Sequence, residues 1–301
     1  MQGPRPDGPQ ESVEMRRLLG ELGLESVIDV HTHFMPARVL DKVWAYFDSA
    51  GPMTGRPWPI RYRHDEQARV AILRALGVST FTSLLYPHKP GMAAWLNSWA
   101  TEFAAATPDC LHSATFYPEP EAPDYVRAAI DQGARVFKAH VQVGDYSPLD
   151  PLLDPVWAIL TERSIPTVIH AGSGPAPGRF TGPGPVAEVL DRHPGLPLII
   201  AHMGMPEYRE FLALARQHDN VYLDTTMAFT DFIETSQPFT PDARADLEAL
   251  GERILFGSDY PNIPYPYPHA VESVIRLGFG DSWCRNVLHD NAARLFGIGQ
   301  R

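Results

Sequence analysis

The chain has 301 residues, a length that one large α/β barrel or two ordinary domains would fill. An apolar fraction of 44% and a charged fraction of 20% exclude wholesale disorder. The net charge of −11 argues against a protein whose main task is gripping nucleic acid or an anionic membrane, while leaving room for a local basic pocket.

Residues 1–14 are rich in Pro and Gly and almost without apolar side chains, so they read as a flexible tail, with 15–301 as a single domain. Eight short apolar runs follow in chain order: VIDVHTHF (27–34), VSTFTSLLY (78–86), CLHSATFY (110–117), ARVFKAHV (134–141), PTVIHAG (166–172), LPLIIAHMG (196–204), NVYLDTT (220–226) and RILFGSDY (253–260). Many are continuously apolar, as expected of parallel strands covered on both faces. Stretches of helical spacing separate them, at 65–76, 92–106, 123–132, 154–164, 185–193, 206–218, 241–250 and 269–277. Several open with Pro in the first turn, as at Pro155 and Pro241, and several close on Gly77, Gly133 or Gly278. The segment 281–298 reads as a terminal helix with Leu288, Ala292, Leu295 and Phe296 on one face.

Such alternation means βαβ units, and eight of them predict a (β/α)8 TIM barrel. An open doubly wound sheet is the alternative. The polar residues decide, because they fall at the C-terminal ends of VIDVHTH, TVIHAG, LIIAHMG and ILFGSDY. Those ends meet at one mouth only in a barrel.

Cys110 and Cys284 are far apart and form no CxxC pattern, which excludes a disulfide scaffold and a Cys-rich zinc module. No apolar run reaches the roughly 18 residues of a membrane span. The opening MQGPRPDGPQES lacks the apolar core of a secretory signal, so the expected location is cytoplasmic.

His31 and His33 stand at i and i+2 on one strand and face the same side, where their ring nitrogens can meet one ion. His170, His202 and Asp259 close the fifth, sixth and eighth runs at intervals of one and two βα units. A catalytic metal keeps three or four protein ligands and an open position. His31, His33 and His170 supply imidazoles, and Asp259 a carboxylate, as ligand or as base for water. His202 is then free for general acid–base work near neutral pH.

The runs VIDVHTHF, FKAH, TVIHAG, IIAHMG, NVYLDTT, RILFGSDYP and NAARLFG, from about residue 27 to 297, together resemble the amidohydrolase superfamily. The resemblance is to its amidohydrolase-2 branch, which includes aminocarboxymuconate-semialdehyde decarboxylase. It implies a (β/α)8 barrel holding one divalent metal, usually zinc, although a His3Asp set also accepts manganese, iron or cobalt. It implies His31, His33 and His170 as ligands, Asp259 on the metal or its water, and His202 as the acid/base residue. Elsewhere in the superfamily a carboxylated lysine of the fourth strand bridges two metals. In this branch that lysine is generally no bridge, which leaves Lys138, and His140 on the same face, for a hydrogen bond in the site or a contact to substrate. Homodimers are common in the branch.

The loop GSGPAPGRFTGPGP (172–185) carries neither a following G-K-[ST] nor a dinucleotide fingerprint, so nucleotide binding is rejected. Its length and position suit a substrate loop or lid, with Arg179 placed to grip a carboxylate. Tyr86 and Asn262 are further substrate-binding candidates, YPNIPYPYP (260–268) is a stiff aromatic wall, and Trp58, Arg56, Arg61 and Arg63 are candidates to line the pocket of an acidic substrate. The leading reading is a metal-dependent hydrolase that uses activated water on an amide, ester or lactone of a small acidic molecule. The alternative is a non-oxidative decarboxylase (carboxy-lyase) of an unsaturated or aromatic acid, built from the same residues. Nothing in the sequence separates the two, because the difference lies in substrate and pocket. A non-catalytic barrel scaffold comes third, since every ligand-type residue is kept. The expected partner is a small-molecule substrate, not nucleic acid or a membrane.

Overall fold

A computed structural model describes residues 8–49 and 51–299. Each of the eight apolar runs forms a strand: β1 (Val27–Asp29), β2 (Val78–Thr82), β3 (Cys110–Leu111) with β4 (Ser113–Thr115), β5 (Val136–His140), β6 (Thr167–His170), β7 (Leu198–Ile200), β8 (Val221–Asp224) and β9 (Ile254–Leu255). β3 and β4 are two halves of one run, interrupted at His112. All pairings are parallel and follow chain order.

The ring closes between its first and last runs. The Val30 N–H donates to the Phe256 carbonyl (2.9 Å), Asp259 N–H to the His31 carbonyl (2.9 Å) and His33 N–H to the Tyr260 carbonyl (2.7 Å). Thr32 and Tyr260 form a parallel bridge beside these bonds. The eight runs therefore enclose a (β/α)8 barrel. Val30, Val136, Val168, Ile199 and Leu255 pack in one buried cluster inside it, with Ala292 and Phe296 of the terminal segment against them. Alternate residues such as Phe137, Ala139, Ile169 and Leu198 belong to the separate layer shared with the helices.

Two sequence expectations change. The tail expected over 1–14 is helical from Gly8, in a helix running Gly8–Leu22, while residues 1–7 lie outside the described residues. Met15, Leu18, Leu19 and Leu22 recur at helical spacing and are buried. They bring this helix against Glu66–Ala75, Tyr267–Ile275 and Asp281–Arg285, beside the seam of the barrel. The terminal helix is three consecutive pieces, Asp281–Arg285, a π-turn Asn286–Asp290 and Asn291–Phe296. The Val287 carbonyl accepts from Phe256 N–H (3.0 Å), tying this turn to the last strand. Both cysteines are buried and free. Among the described residues no helix is long and apolar enough to cross a membrane.

Leu19 is buried and also touches the space beside Gly77. Leu19→Ala is expected to lower unfolding free energy by about 2–4 kcal/mol, read from urea denaturation. A cost near zero would show that this helix does not contribute to the folded core.

Candidate active site

The site grows from a break in the first strand. β1 ends at Asp29, whose Oδ1 accepts from the N–H of His31 two residues on (3.1 Å), an Asx-type turn. The same carboxylate accepts from Ser258 N–H (3.1 Å), Ser258 Oγ (2.6 Å) and Tyr267 OH (2.8 Å), so it also fixes the chain just before Asp259. Burial pushes the Asp29 carboxyl up to about 7, with these hydrogen bonds opposing.

Beyond the turn, His31 and His33 project into the barrel mouth. The His31 Nδ1 lies 2.8 Å from Asp224 Oδ2, and the His33 Nδ1 lies 2.8 Å from the Leu84 carbonyl. Both partners accept only, so both rings hold a proton on Nδ1 and turn Nε2 toward the cavity. The two Nε2 atoms face Asp259 Oδ1 at 3.6 Å and 2.9 Å. His31, His33 and Asp259 each offer a ligand atom within 4.8 Å of the others, and all three are buried. Two inward-facing imidazole nitrogens and a carboxylate, converging at these distances, suit a divalent cation.

The other strand ends complete the ring. Lys138 on β5 is fully buried, its Nζ 3.2 Å from His31 Nε2. Burial lowers its pKa to about 8, partly offset by Asp224 and Asp259. His140 and His170 are register partners on β5 and β6, and their rings stack at 4.2 Å. The His202 ring sits 4.6 Å from His170 and 5.0 Å from His31. Its Nδ1 donates to the Thr226 carbonyl (3.1 Å), which leaves Nε2 bare. Burial, then the charges of neighbouring groups, pushes His31, His140 and His202 well below the ordinary histidine range, and His170 down to about 4.

Two backbone features hold this arrangement. His202 (φ 56°) and Asp259 (φ 75°) both lie in the left-handed region that non-glycine residues avoid. Asp224 Oδ1 accepts the His202 N–H (2.9 Å), and the His31 carbonyl accepts that of Asp259. Gly257 lets the last strand approach: a Cβ there would lie 2.2 Å from Thr226 Oγ1 and 2.7 Å from His31 Cβ.

The mouth opens into a cavity of about 900 Å³. His31, His33, Lys138, His140, His170, His202, Asp259, Tyr86 and Asn262 all line it. His170 is not one of the three residues whose ligand atoms lie mutually close, and its Nε2 lies 3.0 Å from the Gly174 carbonyl. Arg179 does not line the cavity: it is exposed, with its guanidinium over the neighbouring Phe180 ring at 4.9 Å. The arginines of the 49–63 insertion are also engaged elsewhere. Arg61 pairs with Glu11, Arg63 with Asp48, and Arg56 stacks on Phe232, while Trp58 alone of that group lines the cavity.

Sequence reasoning missed two kinds of residue. Asp224 grips both His31 and the His202 backbone, and its position at the end of the seventh run was the available signal. The unforeseen helix Ala37–Ser49 forms one cavity wall through Arg38, Val39, Lys42, Val43 and Phe47. Asp224→Asn removes the carboxylate that sets the His31 tautomer, so metal affinity is expected to fall roughly 10–100-fold in a chelator competition. Unchanged affinity would remove His31 from the ligand set.

The amidohydrolase family model matches residues 28–298. Gamma-resorcylate decarboxylase of Rhodococcus jostii is 29% identical over 197 residues, covering 60% of this chain and 49% of that protein. The chain thus aligns to about half the length of this curated relative. Among solved structures, an uncharacterised TIM-barrel protein from Bordetella bronchiseptica superposes with a TM-score of 0.73 at 21% identity, covering 92% of this chain and 100% of the other. A 2,6-dihydroxybenzoate decarboxylase complexed with 2,6-dihydroxybenzoate gives 0.66 at 19%, covering 91% and 100%. A 5-carboxyvanillate decarboxylase from Novosphingobium aromaticivorans with bound manganese gives 0.63 at 14%, covering 93% and 99%. These likenesses agree with the barrel traced by the strands. Since the family match runs from the first strand through the terminal helix and takes in every strand-end residue of the site, the chain belongs to the amidohydrolase-2 family of TIM-barrel enzymes.

Proposed function

We propose that the chain is a non-oxidative decarboxylase of a small aromatic or unsaturated carboxylic acid. The observation that carries this reading is the 29% identity to gamma-resorcylate decarboxylase. The hydrolase reading has only the breadth of the superfamily behind it. The cavity supports the choice: above the polar cluster its lining includes Tyr86, Trp58, Phe47, Met205 and Met227, surfaces that suit a flat ring.

His31, His33 and Asp259 would hold a divalent metal, with His170 proposed as a further donor, and zinc and manganese both suit that set. When bound, the metal supplies Lewis-acid charge at the cavity floor. Lys138, a cation below about pH 8, draws the substrate carboxylate to the same floor. The apolar lining seats the ring and keeps water from it. Loss of CO2 breaks the bond between ring carbon and carboxylate and leaves the electron pair on the carbon. One proton must then be delivered to that carbon. His202 Nε2 faces the cavity, and burial makes a proton placed there weakly held and readily passed on. Asp259 is the second group able to exchange a proton, and the proton consumed is replaced from solvent.

The test is CO2 release by metal-loaded protein from hydroxybenzoate-type and muconate-type acids. His202→Asn is expected to keep its metal and lose about 100-fold or more in turnover. His31→Ala is expected to lose both metal and turnover, and His170→Ala to weaken metal binding. Failure on every acid, with turnover of an ester or lactone panel, would return the chain to the hydrolases.

A further inference from the structure

The cavity is charged out of step with the rest of the chain. The protein carries −11, yet Asp259 is the one carboxylate residue that lines the cavity among the described residues, against Arg38, Lys42, Lys89 and Lys138. The sequence holds three lysines among its 25 basic residues, and all three line this cavity. Many arginines neutralise a neighbour, as in Arg17–Glu14, Arg74–Asp109 and Arg216–Asp246. Among the described residues, Arg38, Lys42 and Lys89 have no carboxylate within 4.0 Å.

These three cations converge at the outer end of the cavity. Arg38 and Lys42 stand four residues apart on the helix Ala37–Ser49, one turn on the same face, and Arg38 is steadied over the Trp95 ring at 4.3 Å. Lys89 comes from the loop after β2, and Lys42 and Lys89 are both near enough to His88 to help push its pKa down. All three are exposed, unlike Lys138 at the floor. Like charges held together without counter-charges repel one another, and that cost is relieved when an anion arrives. The floor already has Lys138 and the metal cluster for the carboxylate that reacts. The rim is therefore surplus to a monoacid.

We propose that the substrate is a dianion, an aromatic or unsaturated acid with a second carboxylate, opposite the one it loses, gripped at the rim by Arg38, Lys42 and Lys89. The proposal deepens the decarboxylase reading and rests on it.

The experiment is calorimetric binding to the metal-loaded full chain. The probes are terephthalate and 4-carboxycinnamate, each against its monoacid counterpart, benzoate and cinnamate. At least one diacid is expected to bind about 10-fold more tightly than its monoacid, with the preference falling as salt rises. In the Lys42→Gln/Lys89→Gln double variant, with an unchanged circular dichroism spectrum, that preference is expected to shrink to about 3-fold or less. Equal binding of diacid and monoacid by the unsubstituted protein, or a preference that survives the double substitution, would overturn the proposal. A lysine-dependent preference without CO2 release from any acid would sink the decarboxylase reading and leave the rim site standing. CO2 release confined to monoacids would sink the rim proposal alone.

Discussion

Closure of the barrel between its first and last strands is the constraint on which the site depends. His31 and His33 are separated in sequence from Asp259 by almost the whole domain, yet the seam bonds bring them into one ligand group. Asp29 welds that seam from behind, binding the His31 N–H on one side and Ser258 and Tyr267 on the other. Gly257 lets the last strand come close enough for this, and the positive φ of Asp259 turns its carboxylate inward. The strain is sustained because hydrogen bonds on both sides over-determine the conformation. A barrel left open at this edge would have the same strands and no His-His-Asp cluster.

Burial then sets the chemistry. Burial, with the Lys138 charge beside it, pushes His31 well below the ordinary histidine range, and burial with the neighbouring His170 does the same to His202. Neutral imidazoles are what metal ligation and proton transfer both need, and the acceptors behind His31, His33 and His202 fix which nitrogen faces the cavity. Lys138 is the counterweight: a buried cation whose charge is tolerated beside Asp224 and Asp259. The electrostatics run outward from there, from a floor of one cation and one ligand cluster to a rim of three unpaired cations, in a protein that is acidic as a whole.

Much of this was legible in the amino-acid order, and the limits have physical causes. Period-2 spacing placed His31 and His33 together, and the βα interval placed His170, His202 and Asp259 at one depth, because both periodicities are local properties of backbone geometry. The helix at Gly8–Leu22 was missed because its apolar stripe begins at Met15, after a Pro- and Gly-rich stretch. Arg179 looked suited to a carboxylate on loop position alone, but an exposed side chain on a loop turns wherever its neighbours allow, here onto Phe180. Asp224 stood at a strand end like the others, yet whether such a carboxylate holds a metal or a ligand's back nitrogen depends on the depth of its strand. The concentration of lysine was written in the composition, but its meaning required knowing that the helix Ala37–Ser49 and the loop at Lys89 face the same opening.

The sequence by itself determined the barrel, its strand order and the strand-end residues of the mouth, because these follow from short-range periodicity and the spacing of repeated units. The tertiary structure alone decided which of those residues meet. Closure brought His31, His33 and Asp259 into one cluster, and cations from separate segments were gathered at the rim. The reason is range: a contact between residues far apart in the chain is set by how strands twist, close and pack, and no local pattern records those distances.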